Sequence, residues 1–153
     1  MKAKWKTYAF WIVLSEAVGA LSGILSRDGI QIYTETITQP PLSPPMWVFP
    51  IVWGILYALM GISAARIAMT EEKRGLNLFI AQLVLNIFWS LIFFNTQAFG
   101  FAALWLAVLW ILVLLMILAF RSSDRLAALL QIPYLLWLTF ALYLNSGVWV
   151  LNQ

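Results

Sequence analysis

Five apolar stretches, residues 8–25, 46–69, 76–95, 98–120 and 126–145, occupy most of this 153-residue chain. A helix needs about 20 mostly apolar residues to cross the hydrocarbon of a bilayer. Lipid offers no water to backbone amides, so each stretch must satisfy its own N–H and C=O groups within a helix. The expected fold is therefore an all-α membrane protein: one domain over residues 1–153, built as a five-transmembrane-helix bundle. Composition agrees, with only 10% charged residues where a soluble domain carries about a quarter.

The inventory also excludes chemistry. The chain contains no Cys and no His, so disulfides, thiol catalysis and the commonest metal or haem ligand are unavailable. No metal site and no covalently bound cofactor are expected. A sequence pI near 9.5 would point a soluble protein toward nucleic acid; here the basic residues sort by topology instead, and no nucleic-acid partner is expected.

Lys2, Lys4, Lys6, Arg66, Lys73, Arg74, Arg121 and Arg125 fall on one side of the five spans, and Arg27 alone on the other. Basic residues concentrate on the cytoplasmic side, which predicts a cytoplasmic N-terminus and an external C-terminus in a cell membrane, a bacterial plasma membrane being favoured. A rival reading treats the first stretch as a cleaved signal peptide, since three lysines precede an apolar run and small residues at 17–20. Glu16 and the apolar residues resuming at Leu21 fit that reading poorly.

The second and third connections are short, which predicts antiparallel neighbours. The first, residues 26–45, is far longer than a usual helix connection. Pro40, Pro41, Pro44 and Pro45 restrict its backbone and predict a long first loop acting as a shaped lid. Pro50 and Pro133 fall inside the second and fifth stretches, where kinks are expected.

Glu16 is the acidic residue well inside a span. An ionisable group at that depth faces the bundle interior or water and is a functional candidate. It would carry protons, pair with a cationic substrate or set a local field; the structural alternative is a protonated, hydrogen-bonded carboxyl. Gln82, Asn86 and Ser90 recur every four residues, drawing one polar stripe along a helix face. Such residues either glue helices, at about 0.6 kcal/mol each, or line a cavity. Trp89 and Phe93 flank the stripe. Trp53 and Tyr57, then Tyr134, Trp137 and Asn145, add rings and an amide on other spans. Trp5, Trp47 and Trp149 suit interfacial anchoring, whereas Trp53 and Trp137 sit too deep for it. Indoles, phenols and an amide stripe suit a flat, mostly apolar ligand with a polar edge. Gly19 and Gly23, Gly54 and Ala58, and Gly61 and Ala65 stand at the four-residue spacing of close helix approach.

The run Pro-Pro-Leu-Ser-Pro-Pro-Met-Trp-Val-Phe-Pro-Ile-Val-Trp at 40–53, with Leu56-Tyr57 and Met60, resembles the TspO/translocator-protein family, also called the peripheral benzodiazepine receptor family. The likeness continues through Gln82-Leu83, Asn86, Trp89 and Phe93-Phe94, and ends with Pro133-Tyr134, Trp137 and Leu144-Asn145. It covers essentially the whole chain.

The resemblance implies a pocket opening toward the side of the first loop, lined by Trp53, Asn86, Trp89, Trp110, Tyr134, Trp137 and Ala141. Trp110 and Ala141 enter on the resemblance alone. The implied ligands are porphyrins such as protoporphyrin IX and haem, drug-like benzodiazepine-site compounds and, for mitochondrial members, sterols; a homodimer is also implied. Two departures matter. Leu42 stands where many members have Trp, and no Lys or Arg follows Tyr143, so weak sterol binding is expected. The leading reading is a tetrapyrrole-binding receptor or sensor. An enzymatic reading has light-driven porphyrin degradation with Trp53 and Trp137 as the reacting candidates. Transport and a structural or assembly role complete the alternatives, although no internal repeat of the alternating-access kind is present.

Overall fold

The computed structural model describes residues 2–153, with side chains from residue 4 onward. Lys2, counted among the basic residues above, has its side chain outside the described part. The chain is helical almost throughout, with no strand among the described residues. Its elements are α1 (Lys2–Leu25), α2 (Arg27–Thr36), α3 (Val48–Ala68), α4 (Leu76–Ser90), a π-helical turn (Leu91–Asn95), α5 (Phe99–Ser123), α6 (Arg125–Leu129) and α7 (Ile132–Leu151).

Five of the resulting segments are long and apolar enough to cross a membrane: Lys4–Leu25, Val48–Ala68, Leu76–Asn95, Phe99–Ser123 and Arg125–Leu151. They match the five stretches read from sequence, with ends displaced by a few residues. Apolar side chains are no better off between helices than in lipid, so the bundle is held by close packing and interhelical hydrogen bonds. On α5, Ala102, Leu106, Leu109, Val113, Met116 and Phe120 are buried at steps of three and four residues, forming one continuous packed face. Met60, Ala64, Phe79 and Leu138 from α3, α4 and α7 belong to the same buried cluster as Leu106, Leu109, Val113, Met116 and Phe120.

α4 packs along α5, and α5 along α7, whereas α3 lies chiefly along α1 and touches α4 over a shorter length. Glycine sets the α1–α3 approach at two points. A side chain at Gly61 would strike the Ile12 backbone, and one at Gly19 would strike the Tyr57 ring. Gly23 and Gly54 differ from expectation: open space surrounds the position of a Cβ at each.

Neither interior proline kinks a helix. Pro50 is in the first turn of α3 and Pro133 in the first turn of α7, where a backbone N–H would have no partner anyway. The fifth span is broken instead at 130–131, between α6 and α7. Asp124 starts α6 by accepting from the backbone N–H groups of Leu126 (2.9 Å) and Ala127 (3.2 Å).

The first connection is more ordered than a proline-stiffened loop. Its first half is the helix α2, which buries Tyr33 and Gly29. Gly29 lets α2 cross directly over the π-helical turn, since a Cβ there would strike Phe94 and Asn95. Tyr33 packs edge-on against Phe94 with ring centroids 5.3 Å apart. The proline half is pinned to the end of α7. Thr38 donates its N–H to Asn152 Oδ1 at 3.0 Å, Asn152 Nδ2 donates to the Thr38 carbonyl at 2.8 Å, and the Tyr143 hydroxyl donates to the Pro41 carbonyl at 2.8 Å.

Candidate functional site

Beneath α2, and between α1, α3, α4 and α7, lies a cavity of about 480 Å³, within the usual range of small-molecule sites, roughly 300–1,000 Å³. Of the residues expected at a ligand site, Trp53, Tyr57, Asn86, Trp89, Trp137 and Ala141 line it. Trp53 and Trp137, which project from α3 and α7, meet edge-to-face with centroids 6.5 Å apart and planes at 89°. Trp53 also lies 5.6 Å from Tyr57, one turn further along α3. From α4, Trp89 stacks on Phe93 at 5.3 Å. The π-helical turn widens the spiral there, and the consecutive residues Phe93 and Phe94 both reach the cavity.

Gln82 and Tyr134 are buried one layer behind the wall rather than on it. The Tyr134 hydroxyl donates to Gln82 Oε1 at 2.7 Å and accepts from Asn86 Nδ2 at 2.9 Å. Gln82 Nε2 points at the Met60 sulfur, 3.8 Å away. Sulfur is a weak acceptor and no donor, so the Gln82 amide places its NH₂ there and its carbonyl toward Tyr134. That choice orients the chain of bonds: Asn86, which borders the cavity, uses its NH₂ on Tyr134. Trp110 lies on the α5–α7 seam, donating from Nε1 to Thr139 at 2.8 Å, and is not part of the cavity wall.

At the lid end, Trp89 Nε1 donates to Asn145 Oδ1 (3.0 Å), while Asn145 Nδ2 donates to the Phe99 carbonyl (2.8 Å). Trp137 Nε1 is buried with no hydrogen-bond partner among the described residues. Ser90 meets Ser26 hydroxyl to hydroxyl at 2.8 Å, tying the start of the lid to α4. The polar stripe thus divides by level: Gln82 binds helices together, Asn86 faces the cavity, and Ser90 anchors the lid.

Sequence reasoning did not single out Ile30, Tyr33, Met46 and Phe49, which close the cavity from the lid side. The signal available was the spacing of three between Ile30 and Tyr33 inside an otherwise polar stretch. Burial against Phe93 and Phe94 of the π-helical turn pushes the phenol of Tyr33, on the lid helix, up to about 12. Leu42 contributes nothing to the wall; it is 81% exposed in the left-handed region, at φ 70°. Among the described residues lining the cavity, Glu16 of α1 is the one carboxylic acid, and no Lys or Arg is present.

The model of the TspO/MBR family matches residues 11–150, a range that contains every residue lining the cavity. The chain belongs to the TspO/MBR family. It is 38% identical to the Tryptophan-rich protein TspO of Chlorobaculum tepidum, over 95% of this chain and 96% of that one. It is 31% identical to the Tryptophan-rich sensory protein of Cereibacter sphaeroides, over 99% and 95%. The Translocator protein of Bos taurus is also 31% identical, over 100% of this chain and 94% of its own. As a TspO/MBR protein with five spanning helices, the chain is a multi-pass membrane protein.

Proposed function

We propose that this TspO/MBR protein binds a flat, mostly apolar tetrapyrrole such as protoporphyrin IX in its intramembrane cavity, in a sensing or handling role. The observation that carries the reading is the convergence of Trp53, Tyr57, Trp89, Phe93 and Trp137, from the spanning helices α3, α4 and α7 and the π-helical turn that continues α4, on one cavity. Ring faces of this kind gain about 0.5–1.5 kcal/mol per aromatic contact beyond simple burial. With no His or Cys in the chain, a bound haem is held by stacking, so iron-free and iron-containing rings bind alike. The ring's carboxylates belong at the water-facing mouth, because deeper in the cavity they would meet Glu16.

Titration of the detergent-solubilised protein with protoporphyrin IX, followed by tryptophan fluorescence, tests this. Saturable quenching is expected, with affinity lowered about tenfold or more in Trp53→Ala/Trp137→Ala, the loss of two ring contacts. Quenching that never saturates, or that the double variant leaves unchanged, removes the proposal.

A further inference from the structure

The formal charge lining the cavity is one-sided: Glu16 stands without a Lys or Arg among the described lining residues. Glu16, Gly19 and Gly23 recur at steps of three and four on α1 and all border the cavity, so the carboxyl-bearing face of α1 is the one turned inward. Glu16 is nine residues from Leu25, about 14 Å of helix from the lid end, within the first spanning segment. One turn on, the absence of a side chain at Gly19 lets the Tyr57 ring lie against the α1 backbone, and Tyr57 is within electrostatic reach of the Glu16 carboxyl. The Asn86 amide, held by Tyr134, adds a neutral polar group to the same wall. The rings of Trp53, Tyr57 and Trp137 line the same space, and an aromatic ring attracts a cation through its π-system. No lysine or arginine among the described residues neutralises this wall.

We infer that Glu16, with the rings of Trp53, Tyr57 and Trp137, forms a cation subsite, so the cavity takes aromatic ligands bearing one positive charge more tightly than neutral ones of the same shape. A carboxylate within a spanning segment favours a counter-charge, and a delocalised aromatic cation supplies it while contacting indoles. The inference rests on the cavity being the ligand site, as proposed above, but not on a tetrapyrrole being the ligand.

The test compares N-methylacridinium with neutral acridine at pH 8, two flat molecules of nearly equal size, by quenching of tryptophan fluorescence in a nonionic detergent. The cation is expected to bind about tenfold tighter, the ratio produced by one extra charge-assisted contact. In Glu16→Gln that preference disappears, with a melting curve by circular dichroism like that of the unaltered protein showing that the variant is folded. Equal affinities in the unaltered protein, binding of neither acridine, or a preference that survives in Glu16→Gln overturns the inference. Protoporphyrin IX titrated in parallel separates the two claims: quenching by the porphyrin without cation preference leaves the tetrapyrrole reading standing alone.

Discussion

The Tyr134 hydroxyl of α7 donates to Gln82 Oε1 of α4 across 2.7 Å, in a layer where neither residue is exposed by more than 1%. This bond couples stability to the cavity, because the same hydroxyl receives the Asn86 amide that faces the ligand space. Tyr134→Phe leaves both amides without their partner, and a buried unpaired group costs about 1–3 kcal/mol. Thermal unfolding followed by circular dichroism should shift downward. Ligand affinity should fall as well, since Asn86 loses the contact that orients it; a variant with unaltered melting and unaltered binding contradicts this account.

The lid is expected to control release. Asn152 makes two hydrogen bonds to the backbone of Thr38, joining the proline segment to α7. Net hydrogen bonds of this kind contribute about 0.5–1.5 kcal/mol each. Asn152→Ala should therefore speed ligand dissociation several-fold in stopped-flow fluorescence, with little change in melting temperature. Unchanged release kinetics would show that the segment does not gate the cavity.

Asp124 gives the protein an acid limit. It pairs with Arg66 at 2.8 Å (Oδ2 to Nε) and 3.2 Å (Oδ1 to Nη2), joining α3 to the turn that starts α6. Burial by itself would raise the Asp124 carboxyl, but the Arg66 hydrogen bond and charge, with the Ala127 and Leu126 amides, hold it below its ordinary value. A carboxyl depressed by folding stabilises fully above its unfolded value, about 3.9, and loses that contribution as pH falls through the lower folded value. Melting temperature measured from pH 7 down to pH 3 should decline toward the acid end. In Asp124→Asn, which retains the capping oxygen but not the charge, the curve should start lower at pH 7 and be flatter. Parallel curves for the two proteins would assign the acid sensitivity elsewhere.

At Gly61 the closest neighbours of an added Cβ are backbone atoms, including the Trp11 carbonyl oxygen at 2.8 Å. Backbone cannot rotate aside as a flexible side chain can, so Gly61→Ala must push α1 from α3. A cost of about 1–3 kcal/mol is expected, as for overpacking elsewhere. Gly54→Ala, where open space surrounds the site, serves as the control: its melting temperature should hold, and equal losses in the two variants would refute the close-approach argument.

Some of the cavity was legible before any coordinates. Trp53, Asn86, Trp89 and Trp137 stand out because an indole or amide deep in lipid needs a protein partner or a hollow to face. Gln82 and Tyr134 carry the same signal, yet they face each other, since one stripe of polar residues passes through several layers of the bundle. Trp110 shows the same ambiguity, its N–H being taken by Thr139. In Arg27–Thr36, Gly29 and the threonines obscure the helix; packing of Tyr33 on Phe94 and of Gly29 over the π-helical turn decides it.

From the sequence alone came the five crossings, because hydrocarbon thickness and the demand for internal backbone hydrogen bonds act on every stretch independently of its neighbours. Tertiary structure alone decided which helices adjoin, which glycines mark contact and which mark open space, and which polar atoms remain for a ligand. Those are properties of pairs of surfaces, settled only when side chains far apart in the chain compete for the same partners.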